Sequence, residues 1–251
     1  MSPPQADPEA PAPGPETAPA PSSAPDPAGF PATPAPAETS RLIPSRFPPV
    51  AAFEDAASAE DLDAVFELEG WTNDRLSAPR LAQLAREEWV YGRPNASVVM
   101  AAFLHGSPSE LRFSGQELGA WYASTDAITA VLEVANGLRA EIARSALPRI
   151  TQVHRRYAAR LAGDYADIRG RAPECHDPDP ASYPAGQALG RRVRDEGPGS
   201  GLSGIRYDSV RRPGHDNWVC FRPRDVRDVT QAEHLEIDVP AAGKVVVRRL
   251  S

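Results

Sequence analysis

The hydrophobic pattern divides the chain into stretches of different period. "SAEDLDAVFELEGWTN" sets Leu62, Val65, Phe66 and Leu68 on one helical stripe, with Ser58 placed to cap its start and Gly70 to end it. A second helix fits "APRLAQLAREEW", with Pro79 in its first turn and Leu81, Leu84 and Ala85 inward. The period then changes. "SVVMAAFLH" (97–105) and "GAWYAS" (119–124) are continuous apolar runs of strand length, separated by the polar, glycine-bearing "GSPSELRFSGQEL". From Thr125 to about Ser145 the pattern predicts a helix. Ile128, Val131, Leu132, Ala135, Leu138 and Ile142 share one face, and Thr129, Glu133 and Asn136 line its flank. "RITQVHRRYA" reads as a strand, and "PECHDPDPASYPAGQALGRRVRDEG" as a proline-rich loop followed by a helix. "GIRYDS" and "NWVCFRP" are strands around a turn near Pro213-Gly214, and "KVVVRRL" is a last strand. Strands and helices mix without regular βαβ alternation, which predicts an α+β fold.

Composition changes the picture at the N-terminus. Residues 1–40 hold thirteen prolines, ten alanines, five acids, one aromatic (Phe30) and no Lys or Arg. Such a segment buries too little apolar surface to offset its ordering entropy, so it reads as a disordered tail. It lacks the basic start and continuous apolar core of a secretory signal, and no later run is long and apolar enough for a transmembrane helix. "SRLIPSRFPPVAAFED" follows as an extended lead-in broken by prolines. The expected division is a tail over 1–40, a helical extension over 41–96 and a core over 97–251.

Charge narrows the function classes. The whole chain carries −7 from 34 acids and 27 basic residues; without the tail's five acids, 29 acids face the same 27 bases. A remainder near −2 does not fit a nucleic-acid binder, which normally shows a net basic face. Lys244 is the only lysine, so an anion site here must be built from arginine forks. The two cysteines, Cys175 and Cys220, make no disulfide framework, and a cytoplasmic location is the default expectation.

The candidate chemistry sits in "LRFSGQELGAWYASTDAITAVLE". Arg112 offers a planar fork of donors suited to phosphate. Tyr122, on the neighbouring strand, supplies a flat face and a hydroxyl. Glu133, on a helix flank, brings a negative charge able to stabilise a cationic, sugar-like transition state, and Thr129 lies one turn before it. Together with the later "GIRYDSVRRPGHDNWVCFRP", this stretch resembles the RES-domain family, the toxins of RES–Xre toxin–antitoxin pairs. The matching pieces are Arg112-Phe113, Tyr122-Ala123, Thr129 to Glu133, and the strand end Tyr207, Ser209, Arg211. "SYPAGQALGRRVR" is similar to the family's helix before that last strand. The resemblance covers roughly 97–225.

It implies an ADP-ribosyltransferase-like mixed sheet with packed helices, and chemistry on NAD as substrate with no metal. Cleavage of the nicotinamide–ribose bond would pass ADP-ribose to phosphate, water or a protein side chain. By resemblance, Arg112 grips NAD phosphate, Tyr122 packs on the cofactor and Glu133 stabilises the ribosyl centre. Ser209 holds ribose or phosphate, with Arg211 beside it. The implied partners are NAD, inorganic phosphate and a Xre-type helix-turn-helix antitoxin over the cleft, with a homodimer among the assemblies open to the chain and neither nucleic acid nor membrane among them. Compact members of the family carry a further arginine upstream, on the first core strand. In "NASVVMAAFLH" the only cationic residue is His105, with Arg93 and Arg46 further back. A RES-like module without catalysis, recruiting partners through tail and extension, is the rival from another class.

Other features have plainer readings. "GPGSGLSG" has the wrong polarity for a phosphate loop and no lysine, so it reads as a connection. Cys175-His176 and His215…Cys220 lack the paired spacing of a zinc site. Asp208, Ser209 and His215 lie too close in sequence for a hydrolase triad. His154, His176 and His234 read as structural or solvated.

Overall fold

Alternation along each strand assigns neighbouring side chains to opposite sides of a sheet, and one twisted sheet built this way organises the molecule. The computed structural model describes residues 25–46, 53–56, 58, 60–61, 64, 83–104, 111–196 and 201–250. Within them lie the strands β1 (Ala32–Pro34), β2 (Thr39–Pro44), β3 (Trp121–Ser124), β4 (Arg149–Leu161), β5 (Asp164–Asp167), β6 (Leu202–Asp208), β7 (Asp216–Cys220), β8 (Val226–Pro240) and β9 (Val246–Leu250). The α-helices are α1 (Ala96–Leu104), α2 (Ala127–Ser145) and α3 (Tyr183–Asp195). The strands form a mixed sheet in the order β1-β5-β6-β7-β3-β2-β4-β8-β9. Every pair is antiparallel except β5 with β6, and the segment joining those two contains α3, the crossover that a parallel pair requires. The fold is α+β, as the sequence pattern predicts.

The two faces carry different helices. Trp121 and Ala123 of β3 join Trp218 and Cys220 of β7 in a core closed by α1. Tyr122 points to the other face, where Val219, Ile205 and Tyr207 pack under Leu189 and Val193 of α3. Ser40 opposes Ser124, which puts Leu42 on that same second face, and there Leu42, Leu235, Ile237 and Val239 pack beneath α2. Helices α2 and α3 therefore cover different halves of one face, with the β7–β3 strip between them.

Three expectations are corrected. The run 97–105, expected as a strand, is helix α1 as far as Leu104, and His105 lies outside the described residues. Eight of its nine residues are buried, so the helix has no polar face, and a short run apolar all round has no period to separate it from a strand. The first core strand is instead β2, within what reads from sequence as a lead-in. Next, the tail does not extend to residue 40. Asp26 caps a 3₁₀ turn at Pro27–Gly29, Arg192 of α3 donates to Asp26 and to the Pro25 carbonyl, and Phe30 packs on the α3 core. β1 then adds to the sheet edge beside β5. Edge pairing of backbone tolerates proline and needs no apolar composition. Finally, β8 has no counterpart in the sequence reading. Two irregularities in its pairing with β4, and Asp228 at φ 52°, break its alternation until Leu235, Ile237 and Val239.

Of the two helices expected before residue 90, the first falls mostly outside the described residues. The described part of the second, from residue 83, holds only a 3₁₀ turn at Arg86–Glu88. Among the described residues no helix is long and apolar enough to cross a membrane.

Candidate active site

Helix α2 starts beside the β7–β3 strip because Asp126 caps it, its carboxylate accepting from the N–H groups of Ile128 (2.7 Å) and Thr129 (3.1 Å). Burial alone would raise the Asp126 pKa, but these two N–H bonds and the guanidinium of Arg212, 2.6 Å away, outweigh it and hold the pKa below the usual carboxylate value. The cap fixes the first turns of α2 and so places Glu133, two turns along, over the strip.

There Glu133 is gripped from two sides. Ser209 Oγ donates to Glu133 Oε1 at 2.8 Å, and Asn217 Nδ2 donates to the same oxygen at 2.8 Å. Each donor is held in turn. The Arg212 N–H donates to Ser209 Oγ (3.1 Å), and Ser124 Oγ donates to Asn217 Oδ1 (2.5 Å). Ser124, Ser209 and Asn217 are buried, whereas Glu133 is half-buried. The network leaves one direction for every proton: the carboxylate only accepts, so Asn217 must present its amide to Glu133 and its carbonyl to Ser124. Glu133 Oε2 accepts no hydrogen bond among the described residues and is the oxygen available to a ligand.

Arg112 follows Leu111, which makes a two-residue bridge with Ser114. The turn is tied to β3 through Tyr122, whose hydroxyl accepts the Phe113 N–H (3.1 Å) and shares a hydrogen bond with Ser114 Oγ (3.0 Å). Burial pushes the Tyr122 phenol up to about 12, so it is neutral at physiological pH. Arg112 Nη1 donates to the carbonyls of Cys175 and Asp177, both at 2.7 Å, and its guanidinium lies over the Tyr183 ring at 5.1 Å. Its Nε and Nη2 keep donors for an anion. Tyr207 packs edge-on against the Phe113 ring, their centroids 4.8 Å apart. Its phenol is pushed well above the usual value by burial first, then by Glu133, Tyr122 and Tyr183, with Arg112 acting the other way.

The remaining predicted residues divide. Thr129 is fully buried, and its hydroxyl accepts from Arg212 Nη1 (3.0 Å), so it supports the site and has no surface to offer a ligand directly. Arg211 makes no hydrogen bond or ion pair among the described residues, whereas its neighbour Arg212, unmarked in the sequence reading, joins Ser209, Thr129 and Asp126. Ser209 also lines a cleft of about 470 Å³ with Gly170, Pro173, His176, Asp208, Val210, Pro213 and Gly214. His176 shapes its wall: Nδ1 lies 2.8 Å from the Ala172 carbonyl and can only donate there, so Nε2 accepts the Asp208 N–H at 3.1 Å. Asp208 accepts from the Gly170 N–H and Ser209 Oγ is committed to Glu133, so Asp208, Ser209 and His215 form no triad.

Asn217 and Ser124 are the functional residues that sequence reading misses. Both lie in strand runs already explained by packing, and the only signal was a polar residue at an inward position on each of two paired strands. The first core strand carries an arginine, Arg41, but it alternates with Ser40 and Leu42 and so lies on the α1 face of the sheet, away from Glu133. Arg41 Nη1 donates to the carbonyls of Tyr122 (3.0 Å) and Ala120 (3.4 Å), and its guanidinium lies over the Trp121 ring at 4.9 Å. Burial pulls its pKa down to about 10, with the Tyr122 phenol acting the other way, and it stays charged at neutral pH.

Both cysteines are free and buried. Burial raises Cys175 to about 11 and Cys220 to about 12, which leaves both thiols protonated and unreactive. Among the described residues no group of three His, Cys, Asp or Glu is placed to hold a metal.

Fold and site together define an α+β domain in which a half-buried carboxylate on α2 is held by Ser209 and Asn217, and Ser209 also borders a cleft. The RES domain family model matches residues 78–240, and the chain belongs to that family. That family is linked to NAD-related toxin function. An uncharacterized protein of Sinorhizobium fredii, y4oC, is 28% identical over 181 residues, which cover 70% of this chain and 71% of the relative.

Proposed function

We propose that the protein is a NAD-consuming RES-domain toxin that cleaves the nicotinamide–ribose bond and passes ADP-ribose to phosphate or water. The observation that carries this is Glu133: one oxygen is fixed by two neutral donors, and the other accepts no hydrogen bond among the described residues. A carboxylate held this way is preorganised for a positive charge that develops only in the transition state. As the bond from C1′ to the nicotinamide nitrogen breaks, its electron pair returns to the ring and neutralises the pyridinium. Positive charge then grows on the ribose, opposite Glu133 Oε2. An oxygen of phosphate or water forms the new bond to C1′, and its proton leaves to solvent or to a carboxylate. Arg112, with donors free at Nε and Nη2, is suited to the NAD phosphates, and Tyr122 holds the turn that carries it.

A mono-ADP-ribosyltransferase acting on a protein would use the same carboxylate, with the acceptor arriving over the cleft beside Ser209. The non-catalytic module keeps the feature that favoured it, since Arg41, the arginine of the first core strand, stacks on Trp121 on the face opposite Glu133. A Xre-type antitoxin covering the cleft is the regulatory partner proposed with the toxin.

The test is nicotinamide release from NAD by purified protein, with and without inorganic phosphate. Phosphate-dependent release supports a NAD phosphorylase and phosphate-independent release a hydrolase. No release in either buffer, from folded protein free of any antitoxin, counts against both.

Asn217→Ala provides a finer check. It removes one of the two donors to Glu133, and a hydrogen bond to a charged group is worth about 1.5–3 kcal/mol. Turnover is expected to fall about ten- to hundredfold, with the KM for NAD little changed because Asn217 acts through Glu133 rather than on the substrate. A rise in KM at unchanged kcat would instead place Asn217 against the substrate.

A further inference from the structure

A second pocket lies on the face of the sheet opposite Glu133. It has a volume of about 420 Å³ and is lined by Trp89, Val90, Tyr91, Arg93, Arg224 and Arg227. Trp89 and Val90 belong to the α1 core, and Tyr91 packs against it, so the floor of the pocket is rigid. None of its residues lines the cleft beside Ser209.

Three arginines line the pocket. Arg93 is half-buried and pinned, its Nη2 donating to the Val226 carbonyl at 2.8 Å. Burial lowers its pKa first, and the charges of Arg227 and Arg224 lower it further against an opposing pull from Asp228. The carboxylates nearby have other partners, though Glu88 Oε2 is buried without a hydrogen-bond partner among the described residues. Asp228 pairs with Arg160 at 2.8 Å, and Glu88 faces Arg222 at 3.7 Å. Asp225 accepts from Ser203 Oγ at 2.5 Å and reaches Arg227 only at 3.9 Å. The Arg224 side chain has no carboxylate partner among the described residues. Like charges held together around a concavity cost free energy, and an anion with several acceptor oxygens relieves that cost.

We infer that the pocket formed by Arg93, Arg224 and Arg227 beside Trp89 and Tyr91 is a second ligand site, taking a phosphate group either as the free ion or as part of a mononucleotide. Three forks lining one concavity suit a tetrahedral dianion better than a single carboxylate, which one fork satisfies. The volume lies in the range of about 300–1,000 Å³ typical of small-molecule sites. The inference does not depend on NAD cleavage, because the pocket and Glu133 lie on opposite faces of the sheet.

Calorimetric titration of the full-length protein with inorganic phosphate and, separately, with AMP tests it. The wild type is compared with Arg224→Ala/Arg227→Ala, with Arg227→Gln, and with Arg112→Ala as the control for the cleft. The double variant is expected to lose one binding equivalent, or to bind at least tenfold more weakly at it, and Arg227→Gln to show a smaller loss. Arg112→Ala should keep that equivalent. AMP binding more tightly than phosphate identifies a nucleotide as the natural occupant, and equal binding identifies the free ion. Arg224 and Arg227 are exposed, so the variants are expected to fold. If the double variant binds both probes with wild-type stoichiometry and affinity, or if the wild type binds neither, the inference is overturned.

Discussion

Glu133→Gln is expected to cut nicotinamide release about 10²- to 10³-fold while leaving the folded protein intact. The amide oxygen of Gln is isosteric with Oε1 and still accepts from Ser209 and Asn217, the two bonds that hold the side chain at 2.8 Å each. The change is therefore almost purely electrostatic. Losing one preorganised group that meets developing charge costs about 2.7–4 kcal/mol of transition-state stabilisation. The KM for NAD should change little, since ground-state NAD carries its positive charge on the nicotinamide ring rather than on the ribose. Ser209→Ala makes a useful companion: it leaves the charge in place and removes one of its two holders, so it should cost less than Glu133→Gln. Full turnover by a Glu133→Gln protein with an unchanged melting temperature would remove Glu133 from the chemistry.

The site was more legible in the sequence than the sheet that carries it, for physical reasons. Tyr122 and Glu133 stand out because each is set into an apolar run, whereas Arg112 and Ser209 lie in polar stretches and stand out only through the order of the family's motifs. α2 is readable because its apolar residues recur at helical spacing. α1 was misread because a helix buried on all sides has no period. β8 went unnoticed because a bulged strand loses its alternation. β2 looked peripheral because its position in the chain says nothing of its place between β3 and β4. The family match begins at residue 78, so it too leaves β1 and β2 outside. Asn217 and Arg212 could not be ranked from sequence. Asn217 matters only because β7 pairs with β3 in the register Ser124↔Asn217, and Arg212 is preferred to Arg211 only because the turn after β6 aims it at Asp126.

The same substitution should act with opposite sign on the two helices that frame the cleft. Gly190 of α3 is expected to tolerate no side chain. A Cβ there would stand 2.0 Å from the Phe113 carbonyl oxygen, and one at Gly186, a turn earlier, 2.4 Å from the Arg112 carbonyl oxygen. Between them Gln187 Nε2 donates to the Leu111 carbonyl at 3.1 Å. The two glycines thus form a groove into which the backbone of the Arg112 turn is pressed, and a backbone oxygen held by its own turn cannot swing aside as a flexible side chain would. Alanine is ordinarily the better helix former by about 1 kcal/mol. In this groove the overlap outweighs that gain, and Gly190→Ala should destabilise the protein by about 1–3 kcal/mol, in the range of overpacked cores. It should also weaken NAD binding, because pushing the turn outward shifts Arg112 from the carbonyls of Cys175 and Asp177. Gly137 of α2 has nothing within 4 Å of its notional Cβ, so Gly137→Ala should raise stability by up to about 1 kcal/mol with activity unchanged. Thermal or urea unfolding of the two variants beside the wild type decides the matter. If both are stabilised, α3 has room to move, and the position of Arg112 is not set by the glycine groove.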